Sequence, residues 1–182
     1  GDSINYEDDF HERLAKGELT SADSVRFPDS LLFRTPAGRL VYGGGGIMPD
    51  VFVPIDSIYF SGLLSEIAYS GIIRNYCFTY LDAHRKEMRK YKSADDFIAK
   101  FTVTDAMLTG LIETAEKEEI KINRQVIKKI TPQLKSRIKG QFARNLFDDT
   151  AMIRVSLESD PDFKKALQVA LEYKQYASVR KP

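Results

Sequence analysis

The spacing of apolar residues divides the chain near residue 56. From residue 57 onward, apolar positions recur at intervals of three and four, which is the pattern of amphipathic helices. This pattern predicts five to seven helices. One of them carries the apolar series Ile73, Tyr76, Cys77, Tyr80, Leu81, His84 and Met88 on one face. Before residue 57, prolines and glycines recur too often for a long helix.

Capping residues mark where these helices begin. Ser93, Thr104 and Asn123 each precede a helical pattern, as N-cap residues do. Thr131-Pro132 and Asp160-Pro161 each place a proline directly after a capping residue, at a position where a missing N–H does no harm. We therefore predict new helices at residues 132 and 161, the first continuing to about residue 157. The second is expected to turn five side chains inward: Phe163, Ala166, Leu167, Ala170 and Tyr173.

The amino-terminal part is predicted to contain a β-hairpin. Two short β-prone stretches, 31–34 and 39–42, flank Thr35-Pro36-Ala37-Gly38. Proline at the second position and glycine at the fourth suit a type I turn. Residues 51–53 are a candidate third strand, and residues 8–14 a short helical turn. The predicted fold class is mainly α with a small β part (α+β): loops, hairpin and glycine-rich turn in 1–56, then a helical domain in 57–182.

Composition favours a soluble globular protein and excludes a membrane span. Of the 182 residues, 43% are hydrophobic and 29% charged, which is typical of folded domains. No apolar run approaches the roughly 20 residues that a spanning helix needs. The first ten residues are acidic and polar, unlike a secretory signal. A chain that begins Gly1-Asp2 without Met is expected to be a segment of a longer protein.

Few residues of this chain have the spacing of a reactive site. A single cysteine and two histidines argue against a disulfide framework and a zinc site, and we expect no metal or cofactor. Cys77 and His84 are two helical turns apart, too far for a nucleophile and its base. Ser136 and Lys139 fit the Ser-x-x-Lys pattern of penicillin-recognising enzymes. The companion elements of that pattern are missing, so we interpret both as polar residues on a solvated helix face.

Two further patterns are interpreted as structural. The glycine run 43–46 is followed by neither Gly-Lys-Ser/Thr nor a helix start, so it favours a turn over a phosphate cradle. The region 121–144 is basic, as nucleic-acid binding would require. Its aromatic neighbours Phe142 and Phe147 sit at core spacing, and the pI is only about 7.9. We therefore predict a solvated basic face and no nucleic-acid partner. The basic residues are Lys121, Arg124, Lys128, Lys129, Lys135, Arg137, Lys139 and Arg144.

The segment 34–51 carries the most specific motif. It has a proline-glycine turn, a strand, a four-glycine core with Ile, and a Pro-Asp pair, in order and without gaps. This segment resembles the C-terminal processing (tail-specific) serine peptidases, in the branch common in Bacteroidetes. The residues that fit the family motif are Thr35, Pro36, Gly38, Arg39, Gly44, Gly46, Ile47, Pro49 and Asp50.

The resemblance implies a serine endopeptidase, a hydrolase of the cell envelope that is periplasmic or secreted. Residues 1–56 would be a remnant of its catalytic domain, and 57–182 an appended helical domain for packing, oligomerisation or partner docking. In that family a Ser–Lys dyad hydrolyses the peptide bond and lies, with a PDZ module, upstream of the Thr-Pro-x-Gly-Arg turn. Nothing before Thr35 matches that context, so we assign no catalytic residue here and expect the segment alone to be inactive.

The partners implied are the PDZ and catalytic parts of the peptidase and its protein or peptide substrates. Strands cut from a larger sheet have exposed edges. We therefore expect either a homodimer through these strands or poor order in residues 1 to about 30. An alternative also stays open: an independent helical protein-interaction module, in which the glycine-rich region is only a surface loop.

Overall fold

The described residues are mostly helical. The computed structural model describes residues 6–21, 24, 29–36, 38, 40–43 and 51–173. The chain divides into two units, residues 58–164 and residues 1–57 with 165–182. The predicted mainly α class is confirmed. Nine α-helices lie among the described residues: α1 (Tyr6–Ala15), α2 (Gly62–Tyr69), α3 (Ile72–Ala83), α4 (Arg85–Met88), α5 (Ala94–Lys100), α6 (Asp105–Lys117), α7 (Arg124–Leu146), α8 (Asp149–Leu157) and α9 (Pro161–Leu171).

The predicted N-caps begin their helices. The Ser93 hydroxyl accepts a hydrogen bond from the Asp96 amide at 3.2 Å at the start of α5. Thr104 accepts from the Met107 amide at 3.2 Å at the start of α6. The carbonyl oxygen of the Asn123 side chain accepts two amide hydrogen bonds at the start of α7. These side chains satisfy amides that have no partner inside the helix, which is why their positions were predictable.

The sequence predicted that a helix begins at Pro132. This prediction is wrong, because Pro132 lies inside α7. The proline removes one backbone hydrogen bond and costs about 3 kcal/mol in a helix interior. Burial on both sides of it outweighs that cost, because a buried aliphatic side chain contributes about 1.5–3 kcal/mol. The fully buried residues that flank Pro132 on α7 are Ile130, Leu134 and Ile138.

The other helix boundaries also differ from the prediction. α7 ends at Leu146 rather than near residue 157, because Asp148 adopts an extended backbone and accepts from the Ala151 amide at 2.8 Å, which starts α8. The series from Ile73 to Met88 divides at His84, whose φ of −115° and ψ of 26° leave the helical region. The described residues from Gly62 onward therefore contain eight helices rather than five to seven.

The apolar core lies in the 58–164 unit. The long α7 packs against α3 and α8 and also contacts α2, α5 and α6. Rings from several of these elements meet beside it: Phe142 lies 5.5 Å from both Tyr80 and Phe101, measured between centroids. Phe97 stacks on Phe101 at 4.6 Å. None of the described polar or charged residues is buried, so apolar packing dominates this core.

α9 begins as predicted but does not face inward. Asp160 accepts from the Phe163 amide at 2.8 Å, and Pro161 is the first residue of the helix. None of its residues is buried, and Phe163 and Leu167 are 43% and 51% exposed. The expectation of an inward apolar face was wrong, because helical spacing shows that a face exists but not what covers it.

The amino-terminal unit contains a short two-stranded ribbon. Strand β1 (Leu32–Arg34) pairs antiparallel with β2 (Leu40–Tyr42), with Phe33 opposite Val41. Residues 51–53 are not a strand. Pro54 has no N–H to donate, and the next amide, of Ile55, donates to the Leu19 carbonyl at 2.9 Å.

Candidate functional site

Three residues of the family motif lie in the turn between β1 and β2. The Gly38 amide donates to the Thr35 carbonyl at 2.8 Å, which closes a turn that contains Pro36. Gly38 has a φ of +78°, a conformation that favours glycine. Arg34 donates to the Gly38 carbonyl at 3.2 Å. The other motif residues lie outside the described residues: Arg39, Gly44, Gly46, Ile47, Pro49 and Asp50.

Gly43, at the end of the ribbon, lies directly beside the Phe33 ring. A Cβ on Gly43 would lie 2.6 Å from Cε2 of Phe33, too close for any other residue while the ring keeps its place. The Gly43 amide donates to the Leu31 carbonyl at 2.7 Å, extending the pairing by one step. Phe33 remains 55% exposed and Val41 36%. The ribbon therefore offers backbone edges and apolar side chains for pairing, rather than reactive groups.

Ser136 and Lys139 do not form a nucleophile and base. Lys139 donates to the Ile98 carbonyl at 2.7 Å and pairs with Glu158 at 3.1 Å. Its side chain is only 17% exposed, so it ties α7 to α5 and α8 instead of lying on a solvated face as expected. The Ser136 hydroxyl lies 3.1 Å from that of Ser159. Among the described residues, each side chain bonds other groups and neither bonds the other, so both residues are structural.

Cys77 and His84 are also held apart. The Cys77 thiol is fully buried, 3.8 Å from the Ile138 carbonyl, and burial raises its pKa to about 12. His84 stacks on Tyr80, with ring centroids 4.0 Å apart. Its Nδ1 lies 2.9 Å from the Tyr80 carbonyl; since a carbonyl only accepts, this nitrogen donates. Cys77 lies in the core and His84 at its margin, as the sequence predicted.

Burial should make Cys77 unreactive in the native chain. The thiolate is the reactive form, and a pKa near 12 instead of 9.0 lowers its population at pH 8 by two to three orders of magnitude. We expect alkylation by iodoacetamide at pH 8 to be at least about 100-fold slower than in 6 M guanidinium chloride. Mass spectrometry gives a clear readout, because Cys77 is the single cysteine. Equal rates in both conditions would contradict the burial.

The basic region 121–144 is not a free basic face. Four of its eight basic residues have carboxylate partners: Arg124 with Glu116, Lys135 with Asp105, Lys139 with Glu158 and Arg144 with Asp149. The Lys135 ammonium holds the pKa of the Asp105 carboxyl below its usual range. These pairs reduce the positive charge available to a polyanion.

A groove between α3 and α7 was missed by the sequence reasoning. It has a volume of about 590 Å³. Its aromatic member, Phe78, is 68% exposed. One feature of the sequence indicated this exposure. Phe78 does not fit the helical spacing of the buried positions Ile73 and Cys77, so it was not predicted to lie in the core. The residues that line the groove are Arg74, Asn75, Phe78, Thr79, Gln141, Arg144 and Asn145.

The groove carries positive charge and amide groups. Arg144 forms an ion pair with Asp149, in which Nε lies 2.6 Å from Oδ1. No carboxylate of the described residues lies within ion-pairing distance of Arg74. The amide of Gln141 donates to the Asn145 side-chain carbonyl at 2.8 Å. This arrangement can bind a carboxylate and pair with peptide groups.

Among the described residues, no group of three or more potential metal ligands occurs. None of the described helices is both long and apolar enough to cross a membrane.

One family model matches this chain. It is described as a family of unknown function (DUF8443), and it matches residues 63–148, just under half of the chain. The matched segment contains α3 and α7, which line the groove, and excludes the ribbon. No curated protein and no solved structure matches the chain. Because the function of this family is unknown, the match assigns no activity to this chain.

Proposed function

We propose that this chain is the non-catalytic carboxyl-terminal portion of a serine endopeptidase of the C-terminal processing family. In this proposal the Ser–Lys dyad that hydrolyses the peptide bond precedes this segment in the parent protein. Residues 1–56 complete the border of the catalytic domain. The helical residues 57–182 serve packing, oligomerisation or partner docking, and the parent acts in the cell envelope.

The half-exposed ribbon carries the proposal. Strands of three residues in a two-stranded ribbon are marginal on their own, and Leu32, Phe33 and Val41 are 37%, 55% and 36% exposed. A ribbon of this kind is stabilised when a larger sheet covers its apolar side chains and pairs with its edge. The family motif begins in the turn of this ribbon, at Thr35. In this proposal the neighbour that the ribbon packs against is the catalytic sheet.

The alternative is an independent helical interaction module, and the self-contained core of the 58–164 unit supports it. The complete reading frame discriminates between the two. The proposal expects a PDZ-like segment and a Ser–Lys dyad upstream. A frame that contains no hydrolase portion would leave the interaction module.

Hydrolysis of an unfolded polypeptide tests the proposal directly. We expect the product of the complete frame to cleave unfolded casein, and the 182-residue chain alone to leave it intact. Replacing the upstream dyad serine by Ala should abolish cleavage. Gel electrophoresis over a time course measures both. Cleavage that survives this replacement would overturn the assignment of a serine mechanism.

A ribbon variant of the complete product tests the role of β1. Phe33→Asp places a charge where the catalytic sheet is proposed to pack, and we expect at least a tenfold loss of hydrolysis. The matched control is Tyr69→Asp on α2, since Tyr69 is 90% exposed; it should change the rate less than twofold. Equal effects of the two variants would show that the ribbon does not pack on the catalytic part.

A further inference from the structure

We propose that the groove between α3 and α7 binds an acidic peptide segment, with Arg74 holding a carboxylate and Phe78 an apolar side chain. This proposal goes beyond the peptidase assignment and does not depend on it. The groove lies entirely in the 58–164 unit, which has its own core.

The positive charge of the groove favours an anionic ligand. Arg74 is exposed and has no carboxylate partner among the described residues. A guanidinium presents paired N–H groups that match the two oxygens of a carboxylate. Arg144 forms an ion pair with Asp149, in which Nε lies 2.6 Å from Oδ1. The groove thus combines Arg74, which has no carboxylate partner among the described residues, with the paired Arg144.

The amide side chains favour a peptide over a small anion. The Gln141 amide nitrogen donates to Asn145 Oδ1, which leaves the Gln141 carbonyl to accept and the Asn145 amide to donate. Asn75 adds a third amide on the opposite wall. Donors and acceptors side by side match the alternating N–H and C=O groups of a peptide backbone, whereas a phosphate ion offers acceptors almost exclusively.

Phe78 supplies the apolar contact. An aromatic side chain that is 68% exposed beside arginine and amide groups has the composition of an interface hot spot, where aromatic and Arg residues are enriched. An acidic residue next to an apolar residue on the peptide would therefore meet Arg74 and Phe78 together.

The distribution of charge argues for a peptide rather than a nucleic acid. A nucleic-acid site presents a stripe of unpaired basic residues along the phosphate backbone. On α7, Arg124, Lys135 and Lys139 are paired with carboxylates. The groove itself has two guanidiniums, and Asp149 partly neutralises one of them.

Fluorescence anisotropy on the full chain tests the proposal. The probe is a labelled short peptide that alternates aspartate and leucine, with a matched peptide in which asparagine replaces aspartate. We expect saturable binding of the acidic peptide and at least tenfold weaker binding of the asparagine peptide. Equal binding of the two peptides, or no binding of either at millimolar protein, would overturn the proposal. Tighter binding of a labelled oligothymidine would do the same.

Variants locate the binding in the groove. Arg74→Gln should lower the affinity for the acidic peptide at least about tenfold, and Phe78→Ala should lower it at least about threefold. Arg74→Lys should retain part of the affinity. The matched control is Lys129→Gln, which removes the same charge from an exposed position of α7 outside the groove. If Lys129→Gln weakens binding as much as Arg74→Gln, the attraction is general and the groove is not the site. Circular dichroism checks that each variant keeps its helices.

Discussion

Replacing Phe142 by Ala is expected to lower the free energy of unfolding by about 3–5 kcal/mol. The side chain is fully buried on α7, and its ring lies 5.5 Å from both Tyr80 and Phe101. Ala would remove these contacts and leave a cavity that three helices cannot easily close. Urea denaturation followed by circular dichroism measures the change.

The same substitution at Phe78 is the control. Phe78 lies on α3, whose inner face packs on α7, but the side chain is 68% exposed. Phe78→Ala should change the free energy of unfolding by no more than about 0.5 kcal/mol. If the two variants were equally stable, Phe142 would not be at the centre of the core.

Replacing Pro132 by Ala is expected to raise the free energy of unfolding by about 2 kcal/mol. Ala restores an amide that can donate to the Lys128 carbonyl, and proline costs about 3 kcal/mol in a helix interior. Ala gives the unfolded chain more conformational freedom than proline does, and this lowers the expected stabilisation by up to about 1 kcal/mol. Pro132 is exposed on α7, so the substitution opens no cavity. The midpoint of thermal or urea unfolding measures the gain.

Pro161 provides the matched control for that variant. It is also exposed, but it is the first residue of α9, where the amide has no partner inside the helix. Pro161→Ala should therefore leave stability unchanged or lower it by up to about 1 kcal/mol. A loss of stability in Pro132→Ala would mean that α7 requires the local geometry that proline imposes.

Local signals in the sequence predicted the starts of α5, α6, α7 and α9. Ser93, Thr104 and Asn123 cap their helices through hydrogen bonds that span two or three residues, so no distant part of the chain is needed to form them. Pro132 shows the limit of such signals. Thr131-Pro132 has the form of a helix start, yet the buried faces on both sides of it keep α7 continuous.

The groove could not be predicted from the sequence, because its two walls come from distant parts of the chain. Arg74 and Phe78 come from α3, whereas Gln141 and Arg144 come from the end of α7. No spacing rule connects positions that are more than 60 residues apart. Nor did the sequence show that Lys139 is taken up by Ile98 and Glu158, because these partners belong to other helices.

By itself the sequence determined the mainly α class, the change in character near residue 56, the capped helix starts and the turn at Thr35 to Gly38. Each depends on propensities and hydrogen bonds between residues within about one helical turn or one β-turn. Only the tertiary structure decided that α7 continues through Pro132, that the apolar face of α9 stays exposed, and that α3 and α7 form a charged groove. These features depend on which surfaces meet across long separations, and burial there outweighs local preference.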